Sequence, residues 1–301
     1  MNLKYPHSIS GLQLYNWQKA AKKLAIKKEI PPGEVDWLLQ EIAGLELLDL
    51  RLESFKDKPQ IYLRISPKEL EELWNRRVEE RVPLQYLTGV SYWRNFTLKV
   101  TPAVLIPRPE TEELIEIAIA SRSSKTPPEA ENWADLGTGS GAIALGLAEV
   151  LTNVTIHAVD TSSEALAVAR ENAKNCGFVD RIEFYRGYWW EPLEELKGQI
   201  NGMVANPPYI PSRAIAHLQA EVTKHEPHLA LDGGRDGLDC IRYLIETGPI
   251  YLKSGGVWLI EMMAGQAELV VELLRSNGNY RQIEIFPDLA GIERFALAYR
   301  I

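Results

Sequence analysis

The second part of this chain alternates short apolar runs with amphipathic helical segments, and this alternation constrains the fold more than any other feature. Strand-like runs occur at Asn132 to Leu136, Thr155 to Val159, Ile182 to Tyr185, Met203 to Ala205, Gly256 to Glu261 and near Phe295 to Tyr299. Helical segments between them run to Val150, Asn175 and Leu274. Strands separated by helices in this way predict an α/β fold with a parallel sheet and helices on both faces.

The first part of the chain shows a helical pattern instead. From Ser10 to about Gln85, apolar residues recur at intervals of three and four, as they do at Leu38 and Ile42. Helix starts are indicated by Pro31-Pro32-Gly33-Glu34 and by Ser66-Pro67-Lys68-Glu69, where a capping serine precedes a proline. We therefore expect residues 1–84 to form a small N-terminal helical bundle.

Between the two parts, the residues from Val82 to Arg108 have a strand-like character. Aromatic and apolar residues such as Tyr92, Phe96 and Leu98 alternate loosely with polar ones, which predicts a linking β-hairpin. We assign this hairpin to the second domain, residues 85–301.

Composition and charge exclude several classes of protein. With 301 residues, 46% hydrophobic and 25% charged, the chain has room for two folded domains. Its net charge of −8 opposes tight binding to a nucleic acid backbone, so we expect no direct nucleic acid partner. Cys176 and Cys240 match neither a disulfide framework nor a zinc-ligand spacing, and we predict no metal. No apolar stretch is long enough to span a membrane, and we expect a cytoplasmic protein.

A glycine-rich loop follows the first strand of the predicted sheet. Gly137, Gly139 and Gly141 allow the backbone to turn sharply and to approach a ligand closely. Their spacing also fits a dinucleotide fingerprint, which leaves a nicotinamide oxidoreductase open. Asp135 favours S-adenosylmethionine, because a carboxylate there repels a pyrophosphate but attracts the ammonium group of a methionine. With either ligand, Asp160 at the end of the next strand would accept hydrogen bonds from the ribose hydroxyls.

The tetrapeptide Asn206-Pro207-Pro208-Tyr209 follows another predicted strand, at the sheet edge where such folds bind ligands. Two prolines fix the backbone and remove two donors, which leaves carbonyl acceptors beside the Asn206 side chain. The Asn206 oxygen and the Pro207 carbonyl could each take one hydrogen of a planar amide or amino nitrogen, while Tyr209 walls that group. Taken alone, the tetrapeptide is also typical of a turn.

Five segments together resemble the release factor glutamine methyltransferase family over nearly the whole chain. They are Pro83-Leu84-Gln85-Tyr86-Leu87-Thr88-Gly89, Leu105-Ile106-Pro107-Arg108-Pro109-Glu110-Thr111-Glu112, the loop from Gly137 to Gly141, Asn206-Pro207-Pro208-Tyr209 and Glu226-Pro227-His228-Leu229-Ala230-Leu231. The resemblance implies a Rossmann-like, seven-stranded class I methyltransferase domain preceded by the helical domain and hairpin. It also implies S-adenosyl-L-methionine as methyl donor and S-adenosyl-L-homocysteine as product.

The resemblance further implies a substrate and a set of site residues. The substrate is the glutamine of the Gly-Gly-Gln motif in class I peptide chain release factors. The expected catalytic residues are Asn206, Pro207 and Tyr209. The expected cofactor-binding residues are Asp135, Gly137, Thr138, Gly139, Ser140, Gly141, Asp160, Trp189 and Asn206. The expected substrate-binding residues are Asn206, Pro207, Pro208, Tyr209 and Arg108. We expect the helical domain to recognise the release factor, and the chain to be a monomer.

Two positions depart from the family pattern, and several alternatives stay open. Tyr188 stands where the family commonly has an acid, which affects recognition of adenine, and Met262-Met263 follow Glu261 where other residues are usual. Arg108 either pairs with a nearby acid, Glu110 or Glu112, or orders the roof of the site. A ribosomal-protein glutamine and a DNA adenine are alternative substrates of the same chemistry, and a module that binds without catalysis is a further alternative.

Overall fold

The computed structural model describes residues 5–122 and 130–301 and divides into two compact units, Met1–Gly89 and Val90–Ile301. Residues 85–89, which the sequence analysis assigned to the second domain, therefore lie in the first unit. None of the helices in the described ranges is both long and apolar enough to cross a membrane.

The first unit is built mainly of helices, as its apolar spacing predicts. Its helices are α1 (Gly11–Lys27), α2 (Gly33–Ala43), α3 (Leu47–Leu52), α4 (Pro67–Asn75) and α5 (Leu84–Thr88). The predicted start of α4 is confirmed, because the Ser66 hydroxyl accepts from the Glu69 N–H and the Glu69 carboxylate accepts from the Ser66 N–H. The apolar stripe of α2, which includes Leu38 and Leu39, is fully buried in the core of this unit.

The first unit also contains a pair of strands that the sequence analysis missed. Strands β1 (His7–Ile9) and β2 (Ile61–Leu63) pair antiparallel. Three residues are too few to show a period of two, and so neither strand stood out from the helical pattern around it.

The second unit begins with the expected hairpin, in which β3 (Val90–Trp93) pairs antiparallel with β4 (Phe96–Lys99). In the described part of this unit, seven further strands form one sheet: β5 (Glu131–Leu136), β6 (Val154–Asp160), β7 (Ile182–Arg186), β8 (Ile200–Ala205), β9 (Leu252–Glu261), β10 (Tyr280–Pro287) and β11 (Glu293–Arg300). The helices are α6 (Glu113–Ser121), α7 (Ala142–Val150), α8 (Ser163–Asn175), α9 (Ser212–Ile215), α10 (Ala220–His225), α11 (Asp239–Tyr251) and α12 (Ala267–Asn277).

The strand order is β10-β11-β9-β8-β5-β6-β7, and the sheet is parallel only from β9 to β7. The expected seven-stranded α/β sheet is confirmed, and its closing strand β11 is antiparallel to both neighbours, so the sheet is mixed at this edge. Strand β10 was missed because its register shifts between Arg281 and Glu284. Because of this irregularity, the core-facing residues Tyr280 and Ile283 are three positions apart instead of two, so the strand lacks a regular alternation of apolar and polar residues.

The sheet order determines where a ligand can lie. The chain builds outward from β5 through β6 to β7, and then returns to add β8 on the other side of β5. At such a reversal the loops after neighbouring strands separate and leave a crevice at the carboxyl edge. The glycine loop follows β5, Asp160 is the last residue of β6, and Asn206 directly follows β8.

Two apolar clusters hold the sheet between its helices. One contains Trp133, Leu145 and Ile156, and the other contains Met203 and Trp258. All five side chains are essentially inaccessible to solvent. Packing of this kind gives the carboxyl edge of the sheet a rigid support.

Candidate active site

A cavity of about 360 Å³ lies at the carboxyl edge of the sheet, within the size range of small-molecule sites. It brings together nine of the predicted site residues: Arg108, Gly137, Thr138, Gly139, Ser140, Asp160, Trp189, Asn206 and Pro208. Asp135, Gly141, Pro207 and Tyr209 do not line it. The cavity lies entirely within the second unit.

The glycine loop requires glycine at its turning points. Gly137, Gly139 and Gly141 have φ angles of 80°, 54° and 83°, in the left-handed region that other residues rarely adopt. A Cβ on Gly137 would lie 3.3 Å from the Trp189 ring, and one on Gly141 would lie 3.1 Å from the Ala169 Cβ. The loop therefore packs closely on its neighbours and still exposes backbone to the cavity.

Asp135 lies beneath this loop and is completely buried. Its Oδ2 accepts from the Thr138 hydroxyl at 2.6 Å and from the Ala144 N–H at 2.9 Å, so it ties the loop to the first turn of α7. Its Oδ1 has no hydrogen-bond partner among the described residues. Burial raises the pKa of Asp135 to about 7. A nearby cationic ligand would favour the charged form of this carboxylate.

Asp160 closes the glycine loop from the neighbouring strand. Its Oδ2 accepts from the Gly139 N–H and its Oδ1 from the Ser162 N–H, both at 2.9 Å. Burial raises the pKa of this carboxyl, whereas the backbone hydrogen bonds lower it. Each oxygen retains acceptor capacity toward the cavity, because an ionised carboxylate has about four acceptor sites.

Trp189 and Trp190 have different environments. Trp190 stacks on Tyr251 with ring centroids 4.6 Å apart and belongs to the core. Trp189 lines the cavity, adopts a φ of 50° and rests against Gly137. Tyr188, also at the cavity, meets the Trp189 ring edge-on at 5.8 Å. The left-handed backbone at a bulky residue is strained, and such strain is typical of functional sites.

The Asn206 amide is held by a chain of hydrogen bonds. Its Nδ2 donates to the Thr111 hydroxyl at 3.3 Å, and that hydroxyl donates to the Glu261 carboxylate at 2.7 Å. Register brings the two strand ends together, because Ala205 pairs with Ile260, and the next residues are Asn206, just after β8, and Glu261, the last residue of β9. No described residue donates to the Asn206 Oδ1.

Tyr209 is bound to the same carboxylate. Its hydroxyl donates to Glu261 at 3.0 Å, and the Gln266 amide donates to its backbone carbonyl at 3.1 Å. Burial and the Glu261 charge raise the pKa of Tyr209, so the phenol stays protonated at neutral pH. The tyrosine therefore donates a hydrogen bond to Glu261 and does not act as a base.

Arg108 pairs with neither acid that the sequence analysis considered. Its guanidinium donates to both Glu226 oxygens, at 2.8 and 2.7 Å, while Glu112 accepts from the Arg94 N–H. The backbone carbonyl of Arg108 accepts from the Trp93 indole. Glu226 is almost fully buried, and burial raises its pKa while Arg108 opposes that rise. This ion pair joins two loops that line the cavity.

Sequence reasoning missed the roles of Thr111, Glu226 and Glu261. One signal was present for Glu261, since an acid directly after the apolar run Trp258 to Ile260 stands at the end of a buried strand. Thr111 and Glu226 carry no local signal, because their partners are distant in sequence. Met262, one of the two departures after Glu261, is fully buried in the core.

The cavity contains few groups that titrate near neutral pH. Cys240 lines it, but burial raises the pKa of this thiol to about 11, so it is a poor nucleophile. Across residues 5–122 and 130–301, no three histidines, cysteines or acids cluster as metal ligands. The arrangement is suited to binding and orienting polar groups.

Comparison with known proteins identifies methyltransferases as relatives of this chain. A family model described as methyltransferase small domain matches residues 121–235. A release factor glutamine methyltransferase of Synechocystis sp. is 54% identical over 291 residues, which cover 96% of this chain and 97% of that one. The corresponding protein of Thermosynechococcus vestitus is 47% identical, covering 96% of this chain and 99% of its own.

A solved structure shares the fold at low sequence identity. The hMettl16 catalytic domain in complex with MAT2A 3′UTR hairpin 1 matches with a TM-score of 0.53 and 13% identity. The match covers 80% of this chain and 83% of that one. At this identity the similarity extends to the fold alone.

Proposed function

The chain belongs to the release factor glutamine methyltransferase family, and from that premise we propose that it methylates the side-chain amide nitrogen of a glutamine. The substrate is the glutamine of the Gly-Gly-Gln motif in class I peptide chain release factors. The methyl donor is S-adenosyl-L-methionine, and the product left behind is S-adenosyl-L-homocysteine.

The Asn206 side chain carries this proposal. Thr111 engages its Nδ2, and its Oδ1 accepts no hydrogen bond from a described residue at a cavity that the glycine loop also lines. A free acceptor in this position suits a primary amide, which offers two N–H donors in one plane. A site for a carboxylate or a phosphate would present donors instead.

The cavity residues also suit S-adenosylmethionine. Asp160 has acceptor capacity for ribose hydroxyls, and the Trp189 ring offers a flat surface for adenine. The unpaired Asp135 Oδ1 is an acidic group beneath the loop, and it would stabilise an ammonium group through the field or through water. When bound, this donor supplies a methyl group on a sulfonium that is open to in-line displacement.

The tetrapeptide makes a poor nucleophile reactive. An amide nitrogen has a delocalised lone pair, so localising that pair toward the methyl group is the main barrier. The Asn206 Oδ1 and the Pro207 carbonyl each accept one N–H, and both bonds strengthen as positive charge develops on nitrogen. Pro207 and Pro208 fix the backbone that presents these acceptors, and the hydrogen bond from Tyr209 to Glu261 anchors the tetrapeptide.

No strong base is needed in this mechanism. The nitrogen becomes far more acidic once it carries the methyl group and a positive charge, so its proton leaves to water after transfer. Tyr209 stays protonated because its pKa is raised, and it donates to Glu261 throughout. The chain therefore orients the amide and stabilises charge, while solvent receives the proton.

The remaining parts of the proposal concern the partner. The first unit, Met1–Gly89, has its own core and we assign it to recognition of the release factor beyond the reacting loop. Arg108 orders the roof over the substrate. Since the proposed partner is a translation factor, we propose that the enzyme acts in the cytoplasm. We also propose that it acts as a monomer and does not contact nucleic acid directly.

Mass spectrometry tests the proposal directly. The enzyme is incubated with S-adenosylmethionine labelled in the methyl group and with a purified class I release factor, and the modified residue is located by fragmentation. We expect one methyl on the side-chain nitrogen of the Gly-Gly-Gln glutamine. A factor in which that glutamine is replaced by asparagine is the matched control and should stay unlabelled. Unlabelled parent factor would refute the proposal.

Parallel reactions identify the alternative substrates. A large-subunit ribosomal protein fraction and adenine-containing duplex DNA are each incubated under the same conditions. Label in either, with none in the release factor, would replace the proposed substrate by a ribosomal glutamine or an adenine amino group. Binding of NAD in preference to S-adenosylmethionine would overturn the class of enzyme itself.

A further inference from the structure

We propose that Thr111 and Glu261 act as a positioning pair that sets which end of the Asn206 amide faces the substrate. This inference rests on the proposed function, because it concerns how the amide acceptor is presented.

The polarity of the chain of hydrogen bonds is fixed from one end. An ionised Glu261 only accepts, so the Thr111 hydroxyl must give it its single hydrogen. Having donated, the Thr111 oxygen can only accept, and the group of Asn206 that faces it must be the NH₂. The Asn206 Oδ1 is thereby left to accept from the substrate. The Glu261 carboxylate, two hydrogen bonds away, thus determines the orientation of the Asn206 amide.

Burial stabilises this arrangement of hydrogen bonds against alternatives. Thr111 and Glu261 are 4% and 2% exposed, so water does not compete for their hydrogen bonds. The Glu261 Oε1 accepts from Tyr209, so both oxygens are engaged. Burial raises the pKa of Glu261, whereas the hydrogen bonds from Thr111 and Tyr209 and the charge of Arg294 lower it and so favour the carboxylate. A turned Asn206 would place two acceptors against each other, and a net hydrogen bond of this kind favours one orientation by about tenfold.

The orientation determines which substrates are accepted. With Oδ1 presented, Asn206 accepts an N–H from a glutamine amide and repels a glutamate carboxylate. With Nδ2 presented, it would repel the glutamine NH₂ and donate to a carboxylate. The pair therefore controls discrimination between glutamine and glutamate as well as the rate.

Substitutions at the two positions have distinct expected effects. Thr111→Val removes the hydroxyl at nearly constant volume and frees the Asn206 amide, so we expect kcat to fall about tenfold. In Glu261→Gln the carboxamide oxygen keeps the hydrogen bond from Tyr209, so its NH₂ donates to Thr111, whose hydroxyl then donates to the Asn206 Oδ1. We expect kcat to fall about a hundredfold. Thr111→Ser keeps the hydroxyl and should stay within about threefold of the parent.

A competition assay separates positioning from general damage. Peptides containing Gly-Gly-Gln and Gly-Gly-Glu are compared as substrate and competitive inhibitor of the full-length enzyme. The parent enzyme should bind the glutamate peptide much more weakly than the glutamine peptide. In Thr111→Val and Glu261→Gln this preference should shrink about tenfold or more, since the wrong end of Asn206 becomes available. Structural damage alone would weaken both peptides and leave their ratio unchanged.

The controls keep the outcomes distinct. Thr247→Val removes a hydroxyl that donates to the Tyr243 carbonyl within α11, outside the site, and should leave kcat and the peptide ratio unchanged. S-adenosylmethionine affinity and the melting temperature identify misfolded variants, and if Thr111→Val does not fold, Thr111→Ser and Glu261→Gln still decide. Normal kcat and an unchanged ratio in Glu261→Gln would overturn the inference. Absence of glutamine methylation in the parent enzyme would instead overturn the proposed function.

Discussion

Removal of Arg108 tests how the roof of the site is held. Arg108 and Glu226 lie in two loops that line the cavity, and the guanidinium donates to both carboxylate oxygens. The Glu226 side chain is 1% exposed, so it depends on this partner for compensation of its charge. Arg108→Ala leaves that carboxylate buried without a counter-ion.

The expected loss of stability follows from the exposed fractions of the Arg108 and Glu226 side chains. Removing one partner of a buried ion pair costs about 3–5 kcal/mol, because the other charge is left uncompensated. The Arg108 side chain keeps 34% exposure, so water already screens part of the interaction. We therefore expect Arg108→Ala to lower the free energy of unfolding by about 2 kcal/mol at pH 8.

The loss should depend on pH in a defined direction. Burial raises the pKa of Glu226, and Arg108 opposes the rise. A carboxyl whose folded-state pKa exceeds its unfolded value binds more protons in the folded chain, so stability falls as pH rises through that window. Arg108→Ala removes the charge that lowers the pKa of Glu226, so the range over which stability falls extends to higher pH. At pH 5 the buried carboxyl of the variant is protonated to a greater extent than at pH 8, so the loss should shrink to about 1 kcal/mol.

Urea unfolding at pH 5 and pH 8, followed by tryptophan fluorescence, measures both values. The double variant Arg108→Ala/Glu226→Gln is the matched control, because without the carboxyl its loss should be equal at the two pH values. Equal losses in Arg108→Ala at pH 5 and pH 8 would refute the reasoning, since an uncompensated carboxylate must respond to protons.

Three further predictions follow from the site and the domain division. Asn206→Ala should lower kcat at least about a hundredfold and leave S-adenosylmethionine affinity within a few fold, because it removes an acceptor that acts mainly in the transition state; near-normal turnover would contradict the mechanism. Gly141→Ala should lower the free energy of unfolding by about 3 kcal/mol in urea titrations, since its new Cβ meets Ala169 at 3.1 Å in a left-handed conformation. The matched Gly139→Ala has open space at its Cβ and should cost about 1 kcal/mol; an equal cost for both would show that crowding does not matter. Deleting Met1–Gly89 should weaken methylation of an intact release factor more than that of a short Gly-Gly-Gln peptide, and equal losses of kcat/KM would speak against recognition by the first unit.

Features encoded by neighbouring residues were predictable from the sequence. The capping box at Ser66, the glycine loop and the strand before Asn206 each depend on a few adjacent residues. Strand β10 was not predictable in the same way, because its irregular register breaks the period of two. The short pair β1 and β2 lacked enough residues to show a period at all.

The long-range part of the site could not be read from the sequence. Arg108 has acids at two nearby positions, yet its partner is Glu226, and nothing local distinguishes the three. Asp135 was expected at the ligand, and nothing local indicated that its Oδ2 accepts from Thr138 and Ala144 while its Oδ1 has no described partner. A local motif fixes which residues approach the site, whereas tertiary packing decides which of their atoms remain free.

The two longest connections of the site also set the order in which it can be completed. Arg108 and Glu226 are 118 residues apart, and Thr111 and Glu261 are 150 residues apart. During synthesis from the N-terminus, the glycine loop and Asn206 emerge well before β9 supplies Glu261. A nascent chain that ends before β9 would carry both recognisable motifs and still lack the carboxylate that aligns the acceptor. The proposed alignment of the acceptor therefore cannot form until β9 has been synthesised.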